Sequence, residues 1–208
     1  MRVLRRALLG LSALVLATTA CGIPSDDEPR AIADGAIDEQ VAGPNDTTPS
    51  APASNTATTE RIIYLVAGSA PGERLVAASV PVELPNNAAL LPRIVLDQLI
   101  RTRPSEVGLA GQATNQLPSD VTVLDAVLQS DGVLDLNLSS LGIVGESLKL
   151  AMAQIVFTAT DLTSVNGVRV SIDGSPAAVP VELGSVDPGT VITKADYPTL
   201  NPDNPPSG

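Results

Sequence analysis

Histidine and tryptophan are absent from this 208-residue chain, and cysteine occurs once. Without histidine there can be no Ser-His-Asp triad, no Cys-His dyad and no His-ligated zinc. Cys21 has no partner in the chain for a disulfide. Aromatic rings are confined to Tyr64, Phe157 and Tyr197, and twelve Lys and Arg face 23 Asp and Glu, a formal net charge of −11. Nucleic-acid binding needs clustered cations and rings on which bases stack, so no nucleic-acid partner is expected. What is plentiful is aliphatic: hydrophobic residues make up 44% of the chain, enough for one domain with flanking segments.

The first residues carry an address. Arg2, Arg5 and Arg6 precede an uncharged run of eleven residues from Ala7 to Ala17, and Thr18, Thr19 and Ala20 lead to Cys21. This is the pattern of a secretory signal peptide over residues 1–20. Eleven helical residues rise only about 16 Å against a hydrocarbon core of roughly 30 Å, too short to span. The Thr-Thr-Ala-Cys-Gly stretch resembles a bacterial lipoprotein signal, with Thr18 in place of the usual leucine. That resemblance implies a diacylglyceryl group on the Cys21 sulfur, palmitate-type acylation, and a lipid anchor on the extracytoplasmic face of the cell membrane. Ordinary secretion with a free thiol is the alternative. Arg5-Arg6 looks like part of a twin-arginine export signal, but Leu4 stands where a polar residue is usual, which favours the general route. Loss of residues 1–20 removes three arginines and no acids, leaving a net charge of −14. Charge then opposes contact with an anionic leaflet, so acyl chains, at ~0.8 kcal/mol per buried methylene, must hold the protein to the membrane.

Residues 21–60 hold Cys21 and then eight acids, one base (Arg30) and a Pro-, Ser- and Thr-rich run. Such a stretch lacks the apolar surface that offsets ordering entropy, and reads as a disordered acidic tether with an end-to-end distance of roughly 35 Å. Its Thr and Ser residues are candidate glycosylation sites, although a plain polar spacer explains them. Residues 197–208, with four prolines in twelve positions, read as a disordered tail. The domain is expected over 61–196.

Within it, short apolar runs at 61–67 and 75–82 around a glycine- and proline-containing turn predict two strands. Leu91, Ile94, Val95 and Leu99 recur at helical spacing, with Pro92 tolerated in the first turn and Asn86 or Asn87 as cap. Residues 103–119 read as a long loop. Residues 121–128 and 133–138 predict a hairpin around Asp131-Gly132. Leu148, Ala151, Met152, Ile155 and Ala159 mark a second amphipathic helix, with Lys149, Gln154 and Asp161 off its stripe. Alternation at Val168, Val170 and Ile172 predicts a strand, and Asp173-Gly174 turns the chain towards 179–182. The order predicts an α+β fold: a mainly antiparallel sheet with two helices packed on one face, the strand-strand-helix unit occurring twice.

The stretch from Val133 to Ser139 (VLDLNLS), the segment from Leu150 to Thr158 and the run from Val168 to Gly174 resemble the GerMN domain, over about residues 61–183. The Cys-Gly-Ile-Pro-Ser opening with Pro29-Arg-Ala-Ile32 is similar to the mature start of LpqB-type actinobacterial lipoproteins, which carry a further C-terminal region absent here. The resemblance implies an extracytoplasmic, ring-building-motif-like module with a structural or regulatory role at the cell envelope and no active site. Asp135, Ser139, Gln154 and Asp173 match its motif, and each has a structural account: turn, cap or satisfied main chain.

No Gly-x-Ser-x-Gly elbow, Ser-x-x-Lys pair, P-loop or dinucleotide fingerprint occurs. Asp120, Asp125, Asp131 and Asp135 lack calcium-loop spacing. No enzyme, cofactor or metal site is expected. The reading that results is a membrane-anchored, non-catalytic scaffold or interaction domain whose envelope protein partners and oligomeric state are unspecified. The alternative is a ligand-binding module for an envelope lipid, glycan or peptide at the 103–118 loop, where Arg93, Arg101 and Arg103 place three cations in an acidic protein.

Overall fold

Alternation of apolar and polar residues builds the first hairpin. Thr58–Ala67 (β1) pairs antiparallel with Arg74–Glu83 (β2), Thr58 lying opposite Glu83 and Ala67 opposite Arg74. In β2, Ala78, Val80 and Val82 are buried between exposed Ala77, Ser79 and Pro81, so one face of the pair belongs to the core. This computed structural model describes residues 57–68 and 72–203. The expected signal peptide, Cys21 and the tether up to residue 56 lie outside the described residues, as do the last five positions.

Leu91–Arg101 (α1) follows a 3-10 turn capped by Asn87, whose Oδ1 accepts from Ala89 N at 3.0 Å. Pro92 sits in its first turn, where its missing N–H costs nothing. Val95, Leu96, Leu99 and Ile100 form its buried stripe. After Ala113–Thr114 (β3), Val123–Leu128 (β4) and Val133–Leu138 (β5) make the expected hairpin, Gly132 supplying a φ of 84° at the turn. Gly145–Thr160 (α2) then carries the chain to Gly167–Ile172 (β6), which lies parallel to β5, as a helical crossover allows. Ser175–Pro176 (β7), Val179–Val181 (β8), Gly184–Val186 (β9) and Val191–Ile192 (β10) complete the described strands.

The class is α+β, with two α-helices among the described residues and mostly antiparallel pairing. Its layering differs from the expected single sheet. The described strands form three sheets: β2-β1-β3, β10-β6-β5-β4 with β7 on β6, and β8-β9. Ten consecutive residues of α2, Leu150 to Ala159, are buried, because the helix packs against β1, β6, β8 and α1 at once. Gln154, expected off the apolar stripe, is 0% exposed. The expected long loop contains a 3-10 turn over Pro104–Val107, and β3 pairs with the end of β1.

Both expected domain limits also move outward. Thr58, Thr59 and Glu60, assigned to the tether on composition, belong to β1. Tyr197, assigned to the tail, is fully buried and donates from its hydroxyl to Pro180 O (2.9 Å), Leu200 is 4% exposed, and Leu200 O accepts from Leu75 N (3.0 Å). Prolines bar a ladder but not burial, and Tyr197 and Leu200 supply the apolar surface that docks this segment.

One polar arrangement holds the layers together. Main-chain groups of successive strand residues point to alternate edges. On the edge of β1 away from β2, Tyr64 N donates to Thr158 Oγ1 (3.0 Å) and Tyr64 O accepts from Gln154 Nε2 (2.9 Å). Residues 154 and 158 are one helical turn apart on the same face of α2, so two side chains stand in for the strand that a helix cannot provide. Gln154 Oε1 also accepts from Gln116 N (2.8 Å), and Nε2 donates to Asn115 Oδ1 (3.2 Å).

Gln154→Leu orphans the buried Tyr64 carbonyl and the half-buried Gln116 N–H at ~1–3 kcal/mol each, so urea unfolding should show a loss of roughly 2–4 kcal/mol, with Thr158→Val costing about half as much. A chain ending at Asp196 strips Tyr197 and Leu200 from the core and should lose roughly 3–5 kcal/mol in the same assay. A truncated chain as stable as the intact one would return the segment to the status of a tail.

Candidate functional site

The expected ligand site begins at the end of α1. Thr102 closes the helix, its Oγ1 donating to Gln98 O (2.7 Å). Asn115 reaches back from the following loop, Nδ2 donating to Leu99 O (2.8 Å) and Thr102 O (3.2 Å) while Oδ1 accepts from Leu117 N (3.1 Å). The loop is therefore fastened at both ends. Arg101 and Arg103 line an open depression with Ile100, Thr102, Pro104 and Asn115. The structure brings these two arginines together and leaves Arg93 apart: it lies eight residues, about 12 Å, along the axis, with Nε 3.9 Å from Asp97 Oδ2. Arg101, in the last turn, complements the negative end of the helix dipole. Glu106 Oε2 accepts from Arg103 N (3.0 Å), which places a carboxylate within three residues of that cation. The depression supplies surface charge, and Thr102 and Asn115 in its walls are already spent on hydrogen bonds within the fold.

The four motif residues have structural tasks. Asp135 pairs with Arg169 (2.5 Å) across the parallel β5–β6 ladder and accepts from Gln129 Nε2 (2.8 Å), while Arg169 Nε donates to Gly189 O (3.1 Å). Both partners are more than a third exposed, so the pair contributes at most about 1 kcal/mol. Ser139 Oγ accepts from Thr122 N (2.9 Å) and locks the open end of the β4–β5 hairpin. Asp173 (φ 48°) and Gly174 (φ 80°) form the turn after β6, with Gly174 N donating to Asn137 Oδ1 (2.9 Å). Among the described residues, no three or more Asp, Glu, His or Cys side chains gather as a cation cage.

Two features escaped the sequence reading. A small apolar cavity of about 170 Å³ lies between residues 140–143, α2 and β8, lined by Leu141, Ile143, Leu148, Met152, Val170 and Val179. It is smaller than the usual range for small-molecule pockets, roughly 300–1,000 Å³. A second, polar notch of about 380 Å³ lies between β1 and residues 161–164, with Glu60, Arg61, Asp161 and Thr163 in its walls. No local pattern announces either, because each is made by segments about 30 or 100 positions apart.

Beside the notch, the Tyr64 ring stands edge-on to Phe157 with centroids 5.5 Å apart, and Lys194 Nζ lies 5.7 Å from one ring and 5.4 Å from the other. Burial, and then the charge and hydrogen bond of Asp161, pushes the Tyr64 phenol up from 10.0 to about 12. Burial raises Tyr197 further, with a smaller push from Asp196. Both tyrosines stay protonated in the fold after the unfolded chain has begun to ionise. Their contribution to stability is thus complete below pH ~10 and is lost as pH rises through the folded values. Stability should fall by roughly 1–3 kcal/mol between pH 10 and 12, and Tyr64→Phe should flatten that slope. With only two tyrosines and no tryptophan, phenolate absorbance reads the titration directly; a midpoint near 10 for both would refute the burial argument.

A family profile described as Germane, sporulation and spore germination, matches residues 62–178. Among solved structures, the chain is similar to the tandem GerMN domains of the sporulation protein GerM from Bacillus subtilis, at 22% identity and a TM-score of 0.50, covering 65% of this chain and 46% of that one. It is also similar to the first GerMN domain of that protein (20% identity, 65% and 95% coverage, TM-score 0.45) and to a candidate lipoprotein from Clostridium perfringens (18%, 69% and 92%, TM-score 0.44). The chain thus spans less than half of the tandem structure, and its fold is that of a GerMN domain. No curated protein sequence matches it.

Proposed function

Since the chain belongs to the Germane family, we propose that it is a lipid-anchored, extracytoplasmic interaction domain of the cell envelope, a scaffold without catalytic chemistry of its own. One observation carries this reading. The buried polar side chains among the described residues are Thr102, Gln154 and Thr158, and all three are spent on main-chain atoms. The interior is committed to holding layers together, which leaves the surface as the working part.

The anchor half of the proposal rests on residues 1–21. No described helix is long and apolar enough to cross a membrane, and attachment is assigned to acyl chains on Cys21. Several buried chains, at ~0.8 kcal/mol per methylene, hold a soluble domain indefinitely. The acidic segment after Cys21 sets the domain off from the headgroups, where it meets other envelope proteins.

Cys21→Ala should abolish incorporation of labelled fatty acid and move the full-length protein from the membrane fraction to the medium. Retention at the membrane, with or without label, would overturn the anchor. In-cell cross-linking of the native protein should trap specific envelope proteins; tight binding of a defined small molecule with no protein cross-link would favour the ligand-binding alternative.

A further inference from the structure

The second edge of β1 is satisfied over half its length only. Ala57 O accepts from Leu84 N (2.8 Å), so the main-chain groups of odd-numbered residues turn towards β2 and those of even-numbered residues turn away. On the far side Val66 meets β3, and Tyr64 meets Gln154 and Thr158 of α2. Thr58, Glu60 and Ile62 share that side. There α2 has ended at Thr160 and residues 161–164 swing away, opening the notch described above. Among the described residues, none bonds to the outward N–H or C=O of Glu60 or Ile62. Thr58 and Glu60 are exposed and Ile62 is half-buried, so this is a bare strand edge beside a walled groove.

We propose that this edge docks an extended segment of a partner protein, which adds as a strand in line with β3 and carries a basic residue opposite Glu60 next to an acidic one facing Arg61. Neighbouring strand residues project to opposite faces, so the edge presents an anion on one face and a cation on the other. Glu60 is held in place by Ser79, whose Oγ donates to its Oε2 (2.5 Å). Asp161 adds a second carboxylate to the notch, and the buried Arg61 Nε has no acceptor among the described residues. An incoming Asp-Lys or Glu-Arg pair, in a strand antiparallel to β1 as β3 is, therefore meets opposite charges on both faces, while three main-chain positions supply the ladder, as in other strand-addition complexes.

Two other occupants fit worse. The symmetric antiparallel register of a second copy that engages all three residues sets Thr58 against Ile62 and Glu60 against Glu60, like charges face to face. The preceding 56 residues of this chain offer four bases, Arg2, Arg5, Arg6 and Arg30, none of which has an adjacent acid, and Arg30 follows Pro29 in a stretch of net negative charge.

This deepens the reading of an interaction domain and stands apart from the anchor: its failure leaves the Cys21 result untouched, and the converse holds. The test uses the full-length protein in detergent. The probe is a capped peptide of alternating threonine and valine with a central Asp-Lys pair. Free protein should show fast amide exchange at Glu60 and Ile62 and slow exchange at Ile63 and Tyr64; the peptide should slow the first two by about tenfold. Glu60→Lys should weaken binding about three- to fivefold, and a peptide with its central amides N-methylated should not bind. Protection of Glu60 and Ile62 in free protein would mean that a second copy or the chain itself already fills the edge. That result, an absence of binding at millimolar peptide, or equal binding of the N-methylated peptide would each overturn the proposal.

Discussion

A strand that meets a helix on its open edge must have its main-chain donors and acceptors met by side chains, and this domain does so at Tyr64. Two groups of one residue, its N–H and its C=O, are taken by Thr158 and Gln154 of α2. In a water-free interior each unmet group costs ~1–3 kcal/mol, which is comparable to a sizeable share of a domain's net stability. The contact is also directional. It fixes the rotation of α2 about its axis and its position along β1, and the remaining contacts of the helix with β6 and β8 follow from that placement. Through Asn115 and Gln116 the same amide holds the loop after α1, so the end of one helix, the middle of the other and the central strand form one polar joint.

The position of Gln154 explains where sequence reading succeeded and where it failed. Hairpins and α1 were legible because each buries one face, and one-faced burial writes a period of two or 3.6 into the chain. Helix α2 buries every face over ten residues, so its periodicity is blurred and the polar residue within it reads as a wet one. Residues 197–208 read as a tail for a related reason: four prolines in twelve positions outweigh Tyr197 and Leu200 in composition, although two large apolar side chains suffice to dock a short irregular segment. At the candidate site, Arg101 and Arg103 were adjacent in the chain and remain so in space. Arg93 stands apart from them because eight residues at 100° each leave it about 80° around the axis from Arg101, and the rise separates them further.

Two of the described sheet edges carry their own protection. On β2, Leu75 N points outward to Leu200 O, so Pro81, six residues on, stands at another outward position and has no N–H to offer. On β4, the register slips between Val123 and Asp125, a bulge that bends the edge. Leu124, exposed at the bulge, is kept from forming a flat apolar ladder with a neighbour. The upper half of β1 is closed by α2 and β3. The contrast makes the lower half of β1 informative: the same short chain that blocks two edges leaves Glu60 and Ile62 with main-chain groups facing a notch.

Charge gives that contrast its meaning. Sixteen acids and eight bases lie between residues 57 and 203, and an acidic surface of this kind repels copies of itself and of other acidic chains. A bare edge on such a surface is protected from self-pairing by Glu60 without being closed to a strand of the opposite pattern. Proline or a bulge removes an edge for every partner, whereas a charge discriminates among partners, and discrimination is what an interaction domain requires. The polar joint at Tyr64 and the open edge at Glu60 are thus two outcomes of one geometry. Where α2 runs alongside β1, its side chains complete the strand; where α2 ends, the strand remains incomplete and available.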